Sequence, residues 1–323
     1  MRCSVILPTH NPDRERLRRT LAGLRAQTLP ATDWETVVVD NASEPPLSAA
    51  AWGEVAPGSL RIVREPRRGL THARIAGLAA SRAPVLVFVD DDTVLDPDYL
   101  EIGVQFLEHH AEVGALGGRT VPEFSETPPA WLSEFHGLLA LRDLGANVRI
   151  DRPPSAGTDP ARSPYPAHAP IGAGLILRRS AGEDWLRSIS ATPLNRILAD
   201  RTGAELSSGG DNDLVFSVYR SGHAVAYEPR LRLTHLIPGS RLAPQYLGRL
   251  NRGIQRSWVQ VLARHQACPW PAVATWTVWP RQARAYLRTR AWVSPAHRIR
   301  WQGLCGRFEG QADLWRQKNG GDT

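Results

Sequence analysis

Lysine is nearly missing from this 323-residue chain: Lys318 is the one example among 39 basic residues. Chemistry that needs a lysine amine within the body of a fold is therefore excluded for the first 317 positions. No stretch of about 18 apolar residues occurs, which excludes a bilayer-spanning helix. Cysteine is scarce too. Cys3, Cys268 and Cys305 are odd in number and far apart, which excludes a disulfide framework and a paired-cysteine metal site and fits a reducing compartment. The opening MRCSVILPTHN lacks a separate basic region and a small-residue cleavage site, and reads as a first strand. A cytoplasmic location is expected. Internal repeats are also lacking.

What is present is unevenly spread. The net charge is +7, yet residues 239–323 hold 14 basic side chains against Glu309, Asp313 and Asp322, leaving the first 238 residues mildly acidic. Seven of the eleven tryptophans also lie beyond residue 257. The chain divides into a globular body, 1–238, and a basic, Trp-rich helical region, 239–323. Within the body, β-rich apolar runs at 4–9, 36–40, 60–64 and 85–90 alternate with helical periodicity at 12–27, 70–82 and 97–109. That alternation predicts an α/β fold on a doubly wound, mainly parallel sheet, with ligands at the carboxyl ends of the strands. Residues 120–170, rich in Pro, Ser, Gly and Ala, predict long loops. Regular structure is expected again at GAGLILRR (172–179), in a helix beginning near Asp211, and in a strand near 224–228.

The chemistry concentrates at strand ends. LVFVDDDTVLDPDYL runs from buried apolar residues into Asp90, Asp91 and Asp92. Adjacent carboxylates repel, and Mg²⁺ or Mn²⁺, which takes few protein oxygens and completes its shell with water and phosphate, explains such a cluster. Helix capping does not, because Asp96 before Pro97 already fits that role. In SSGGDNDLVFSVYRSGH, two glycines deliver Asp211 and Asp213 to a helix start, where the dipole favours negative charge. His235, in RLTHLIP after a strand, is a further ligand of the right type.

The order of these segments resembles inverting family 2 glycosyltransferases of the GT-A fold. VILPTHN is similar to their first strand and nucleotide loop, and VVVDNAS to their second strand. RRGLTHARIAGL, FVDDDTVLDPDYL, GAGLILRR, GGDNDLVFSVYRSGHAVAYEP and LTHLIP match later motifs in sequence order over residues 1–240. The resemblance implies a halved catalytic domain: 1–92 binds nucleotide and 93–238 faces the acceptor. It implies that Pro8, Thr9, Asn11, Asp40, Arg74, Asp90 and Asp91 bind a nucleoside-diphosphate sugar, with Asp40 taking the ring N–H of uracil or thymine and so favouring UDP- or dTDP-sugars. It implies that Asp90, Asp92 and His235 hold the metal, that Asp211 is the general base, and that Asp213 and Gly172 lie on the acceptor side. Trp131 would stack on a sugar face or simply anchor a loop. The chain departs from the pattern at Arg67 and Ile75, where Asn is usual, and at Gly210, where Glu is usual. The last departure keeps Asp213 open as an alternative base.

Rival readings are weaker. A haloacid-dehalogenase-like phosphatase would use Asp90 and Asp92, but needs a basic residue, usually lysine, between its motifs and a nucleophile ending the first strand. A nucleotidyltransferase needs a Gly-rich basic loop that VILPTHNPDRERL lacks. A nucleic-acid partner is not expected, since no nucleic-acid module is recognisable. A non-catalytic sugar-nucleotide- or carbohydrate-binding relative remains the other alternative. In the C-terminal region Leu247, Leu250, Ile254, Trp258 and Val261 repeat at helical spacing. Its arginines either decorate helices packed on the body or meet an anionic membrane at the inner face, as a lipid-linked acceptor would suit.

Overall fold

The computed structural model describes residues 1–48, 52, 59–154, 164–190 and 209–319. Strand β1 (Cys3–Thr9), helix α1 (Arg14–Arg25), β2 (Trp34–Asp40), β3 (Leu60–Arg64), α2 (Leu70–Ala80) and β4 (Val85–Phe88) form the first half. All contacts among these strands are parallel, in the order β3-β2-β1-β4. Side-chain alternation divides each strand between two apolar layers. Cys3, Val5, Leu7, Val85 and Val87 face α1, whereas Ile6, Val37, Val39, Leu86 and Phe88 face α2. Burial on both faces is why the runs of β1, β2 and β4 are apolar, whereas β3, at the sheet edge, is half-exposed and carries Arg61 and Arg64.

Beyond β4 the chain makes β5 (Thr93–Leu95), α3 (Tyr99–His109), β6 (Val113–Phe124), a 3₁₀ stretch at Ala130–Leu139, β7 (Arg149–Asp151), β8 (Ile176–Arg178), α4 (Arg179–Ser190), α5 (Gly210–Arg220) and β9 (Ala224–Ile237). The sheet continues β4-β8-β6-β9-β5: β6 and β9 are parallel, and β8 and β5 are antiparallel to their neighbours. The expected loop region 120–170 is thus partly regular, since β6 runs to Phe124 and β7 pairs with β9. Residues 155–163 of that region, and Ser207 and Ser208 of the second motif, lie outside the described residues. Three boundaries also differ. The aspartate-bearing strand ends at Phe88 rather than 90, α3 begins after Asp98 rather than Asp96, and β9 extends to Ile237, so His235 is inside a strand.

The C-terminal region is helical. After a 3₁₀ turn at Gly239–Leu242 come α6 (Pro244–Arg264), a 3₁₀ turn at Thr275–Thr277, α7 (Val278–Thr289) and α8 (Pro295–Asn319). Helices α6 and α8 pack closely because Gly306 has no side chain: a methyl group there would strike the Arg252 carbonyl oxygen. Arg252 Nε lies 3.0 Å from Glu309 Oε2 and Arg256 Nε 2.6 Å from Asp313 Oδ2 across the same seam. A third apolar cluster, including Leu132, Phe135, Ile237, Leu247 and Ile299, joins these helices to the body.

Candidate active site

In the parallel half, strand order reverses between β1 and β4, and a crevice opens at their carboxyl ends. It is a cavity of about 410 Å³. Pro8 and Thr9 from β1, His10 after it, and Asp90, Asp91 and Asp92 from the turn after β4 line one wall. The turn is closed by Thr93 N–H donating to Asp90 O (3.1 Å) and fastened to β9 by Leu236 N–H donating to Asp92 O (2.8 Å). Thr9 Oγ1 donates to Asp91 Oδ2. Burial, and then the negative charge of Asp92, push the Asp91 carboxyl up to about 7.

Asp92 is buried between two further groups. Arg241 Nη1 is 2.9 Å from Oδ2 and His235 Nε2 is 3.5 Å from Oδ1. His235 Nδ1 lies 2.9 Å from Leu139 O, so Nδ1–H donates to that carbonyl and the Nε2 lone pair is turned toward the aspartates, where Arg241 Nη1 lies 3.2 Å away. An imidazole whose other nitrogen is fixed by a carbonyl is oriented as metal-binding histidines are. The donor set of one imidazole nitrogen and neighbouring carboxylates suits Mg²⁺ or Mn²⁺ completed by water and phosphate. Among the described residues no three such side chains are already gathered as ligands. The residues therefore fit a site finished by the substrate, with Arg241 meanwhile supplying the positive charge.

Asp211 and Asn212, at the first turn of α5, form another part of the cavity wall with Ile171 and Ala173. Asp211 is ion-paired to Arg74, which is fully buried on α2 with its guanidinium 5.7 Å from the Phe88 ring centroid. Gly172 makes this pairing possible, since a methyl group there would run into Asp211 Oδ2 and lie 2.6 Å from Arg74 Nη2. Gly172→Ala is therefore expected to displace the carboxylate and lower turnover by about 10²-fold, the scale of effect that an ångström of misplacement in a catalytic cavity carries. Steady-state rates and a thermal melt check this; unchanged rates in a folded variant would refute the positioning role.

Asp213 is elsewhere. Two residues on along a helix, it points away from Asp211 and is buried against Arg264 Nη1 (2.8 Å) and His265 Nε2 (3.0 Å). The expectation that it faces the acceptor is corrected: it ties α5 to the end of α6. Arg74, expected among the donor-binding residues, is ion-paired with Asp211. Asp40 is fully buried behind the wall, accepting from Ser43 N (2.9 Å) and Leu47 N (3.2 Å) and paired with Arg64, so its carboxylate holds the following turn instead of facing a base. Asn11 is exposed beside the cavity, its Oδ1 accepting from Glu44 N (2.8 Å). Trp131 is half-buried and packs edge-on against Phe135 at the edge of the third apolar cluster.

Several wall residues carry no motif of their own in the sequence. Asn41, not Asp40, lines the cavity, and its amide bridges to Gly69 N (2.8 Å) and Arg67 O (2.6 Å). Gly137, Leu138, Leu139 and Ala140 come from the supposed loop, and Arg241, Tyr246, Leu250 and Ile254 from the C-terminal region. The sequence signal for Arg241 is a basic residue six positions after His235, masked by the overall positive charge of residues 239–323.

A doubly wound sheet thus gathers carboxylates, an oriented histidine and a second acidic wall around one crevice. The profile of Glycosyl transferase family 2 matches residues 4–184, more than half the chain, and the chain belongs to that family. It is 26% identical over 153 residues to a glucosyl-dolichyl phosphate glucuronosyltransferase of Haloferax volcanii, covering 47% of this chain and 49% of that one. It is 28% identical over 151 residues to the poly(ribitol-phosphate) β-N-acetylglucosaminyltransferase TarS of Staphylococcus aureus, covering 40% and 24%. It is 32% identical over 126 residues to the amylovoran biosynthesis glycosyltransferase AmsE of Erwinia amylovora, covering 38% and 46%. The chain thus spans about half the length, or less, of these curated relatives. The crystal structure of S. aureus TarS 1–349 superposes with a TM-score of 0.49 at 15% identity, covering 99% of this chain and 92% of that one. Family membership removes the phosphatase and nucleotidyltransferase readings.

Proposed function

We propose that this chain is an inverting, divalent-cation-dependent glycosyltransferase that moves a sugar from a nucleoside diphosphate to a hydroxyl of a glycan, free or lipid-linked. The observation that carries the reading is the sharing of one cavity by Asp90, Asp91, Asp92 and His235 on one side and Asp211 on another. Asp92 and His235 would hold Mg²⁺ or Mn²⁺, with Asp90 beside them, and a cation there supplies neutralisation of the charge that builds on the leaving diphosphate. Thr9 and Asp91 form a hydrogen-bonded pair at the donor side. Asp211, held by Arg74 and keeping 29% of its side-chain surface open, takes the proton of the acceptor hydroxyl at a carboxylate oxygen. Attack from the side opposite the leaving group inverts the anomeric carbon. A UDP- or dTDP-sugar is proposed as donor from the family resemblance alone; Asp40, whose oxygens hold its own turn, does not carry that choice. Two relatives are named for acceptors that contain phosphate, dolichyl phosphate and poly(ribitol phosphate), which favours an acceptor of the lipid-linked or polymeric kind.

Thermal melting with a panel of sugar nucleotides and Mn²⁺, followed by turnover assays on the hits, tests this. Ligand at a hundredfold its Kd is expected to stabilise the fold by about 2.7 kcal/mol. Phosphomonoesters and oligonucleotides should give neither stabilisation nor turnover. Stabilisation without transfer or donor hydrolysis would favour the non-catalytic binding relative; no response to any nucleotide would overturn the reading.

A further inference from the structure

The described residues contain no helix long and apolar enough to cross a membrane. The large apolar side chains most open to water nevertheless gather in one place. Trp276 is 79% exposed, Trp279 76%, Leu287 65%, Val293 57% and Trp292 54%. All lie within residues 276–293, on α7 and the turns that flank it. The inner face of α7 is well satisfied: Ala285 is buried, Gln282 Nε2 donates to Glu309 Oε1 (3.0 Å), and Trp301 Nε1 donates to Gln282 O (3.0 Å). The outer face is not. Trp279, Ala283 and Leu287 recur every four residues along it and form one row. Arg281, Arg284 and Arg288, at spacings of three and four, form the adjoining row, and Arg290 follows the helix.

Charge sets this face apart from the rest of the C-terminal region. Residues 239–308 contain no Asp or Glu. The acids farther on are used by α6 and α8, where Glu309 pairs with Arg252 and Asp313 with Arg256 and Arg316. Among the described residues no carboxylate is ion-paired with Arg281, Arg284, Arg288 or Arg290. The arginines expected from the sequence to meet a membrane therefore divide into two groups, since Arg252, Arg256 and Arg264 of α6 are ion-paired with Glu309, Asp313 and Asp213.

We infer that the outer face of α7, with its flanking turns, docks on an anionic lipid surface. Indole rings are stable at headgroup depth, Leu287 and Val293 can enter the acyl boundary, and guanidinium groups pair with lipid phosphates. This combination distinguishes the partner. A nucleic acid would use the arginines and indoles but gives no apolar phase to Leu287 and Val293, and a second copy of the chain would oppose four positive charges with four more. The inference does not rest on the donor chemistry, so the two can fail separately.

The test uses the full chain, because α6 lines the cavity and cutting near residue 240 would remove part of the active site. Sedimentation with phosphatidylcholine vesicles is compared with vesicles containing about 30% phosphatidylglycerol at low and high salt, conditions in which polybasic attraction is strong and then screened. Binding is expected on the anionic vesicles and is expected to weaken with salt. Trp276→Ser/Trp279→Ser/Leu287→Ser should lower partitioning at least about ten-fold, and Arg284→Gln/Arg288→Gln should lower it several-fold and flatten the salt dependence. Because every altered side chain is exposed, melting temperature and transfer to a soluble acceptor should be unchanged. Absence of wild-type binding at low salt, or equal binding by the variants, would overturn the inference. So would light scattering that shows a dimer lost in the tryptophan variant, or oligonucleotide binding of equal strength through the same residues.

Discussion

Asp211→Asn is expected to lower glycosyl transfer by about 10³-fold or more while leaving nucleoside-diphosphate affinity within a few-fold. The substitution keeps size and removes only the capacity to accept a proton. The Arg74 contact can survive through the amide oxygen, so the wall should hold its shape. The companion variant Asp213→Asn should behave in the opposite way. Asp213 is buried against Arg264 and His265, outside the cavity lining, so its loss should cost roughly 2–3 kcal/mol, less than a fully buried pair because Arg264 is 20% exposed. Its kcat in the folded fraction should stay near wild type. Rates with saturating donor, titrated donor binding and urea melts of both variants give the answer. A dead, folded Asp213→Asn beside an active Asp211→Asn would move the base by two residues and refute the assignment.

Helical geometry explains why the sequence left that choice open. Asp211 and Asp213 occupy the same helix turn and share the same dipole advantage, so composition and capping do not separate them. Their neighbours do, and neither neighbour is near in sequence: Arg74 comes from α2, and Arg264 and His265 from the end of α6. The same limit applies to Asp40. At the end of β2 it sits where a strand-end carboxylate meets a ligand, but the turn that follows folds back and uses its oxygens, and Asn41 moves to the wall.

The parallel half of the fold was legible because burial on both faces writes an uninterrupted apolar run, as in SVIL and TVVV. β6 was harder. Its residues 117–124, GGRTVPEF, carry glycines, a proline and charge, because the strand is bulged near Gly117 and becomes half-exposed as it leaves the core. A segment of that composition reads as loop, and it hides the cavity-lining stretch 137–140 that follows. The basic C-terminal region hid Arg241 for a related reason: averaged charge over 85 residues describes a surface and conceals one side chain that turns inward.

That inward arginine shapes the second expected result. Asp92→Ala should weaken nucleoside-diphosphate binding in Mn²⁺ by at least about 10- to 100-fold and remove the difference between Mn²⁺ and EDTA. In the proposed site Asp92 and His235, 3.5 Å apart, would share the ion, and losing Asp92 would leave a single nitrogen beside Asp90 and Asp91. Arg241 then matters in a new way. Its guanidinium, now 2.9 Å from Asp92, would be released toward the cavity it already lines, where a diphosphate is its natural partner. The variant should therefore keep a weak nucleotide affinity that is indifferent to metal and falls with salt, and Asp92→Ala/Arg241→Gln should lose that remainder. Arg241→Gln alone should have the reverse balance: Mn²⁺ binds the free enzyme more tightly, because a competing cation has gone, while nucleotide binds less tightly. Calorimetric titration of Mn²⁺ and of nucleoside diphosphate into the three variants separates these effects without any turnover assay. Wild-type donor affinity and an intact response to EDTA in Asp92→Ala would show that the three aspartates serve something other than a cation.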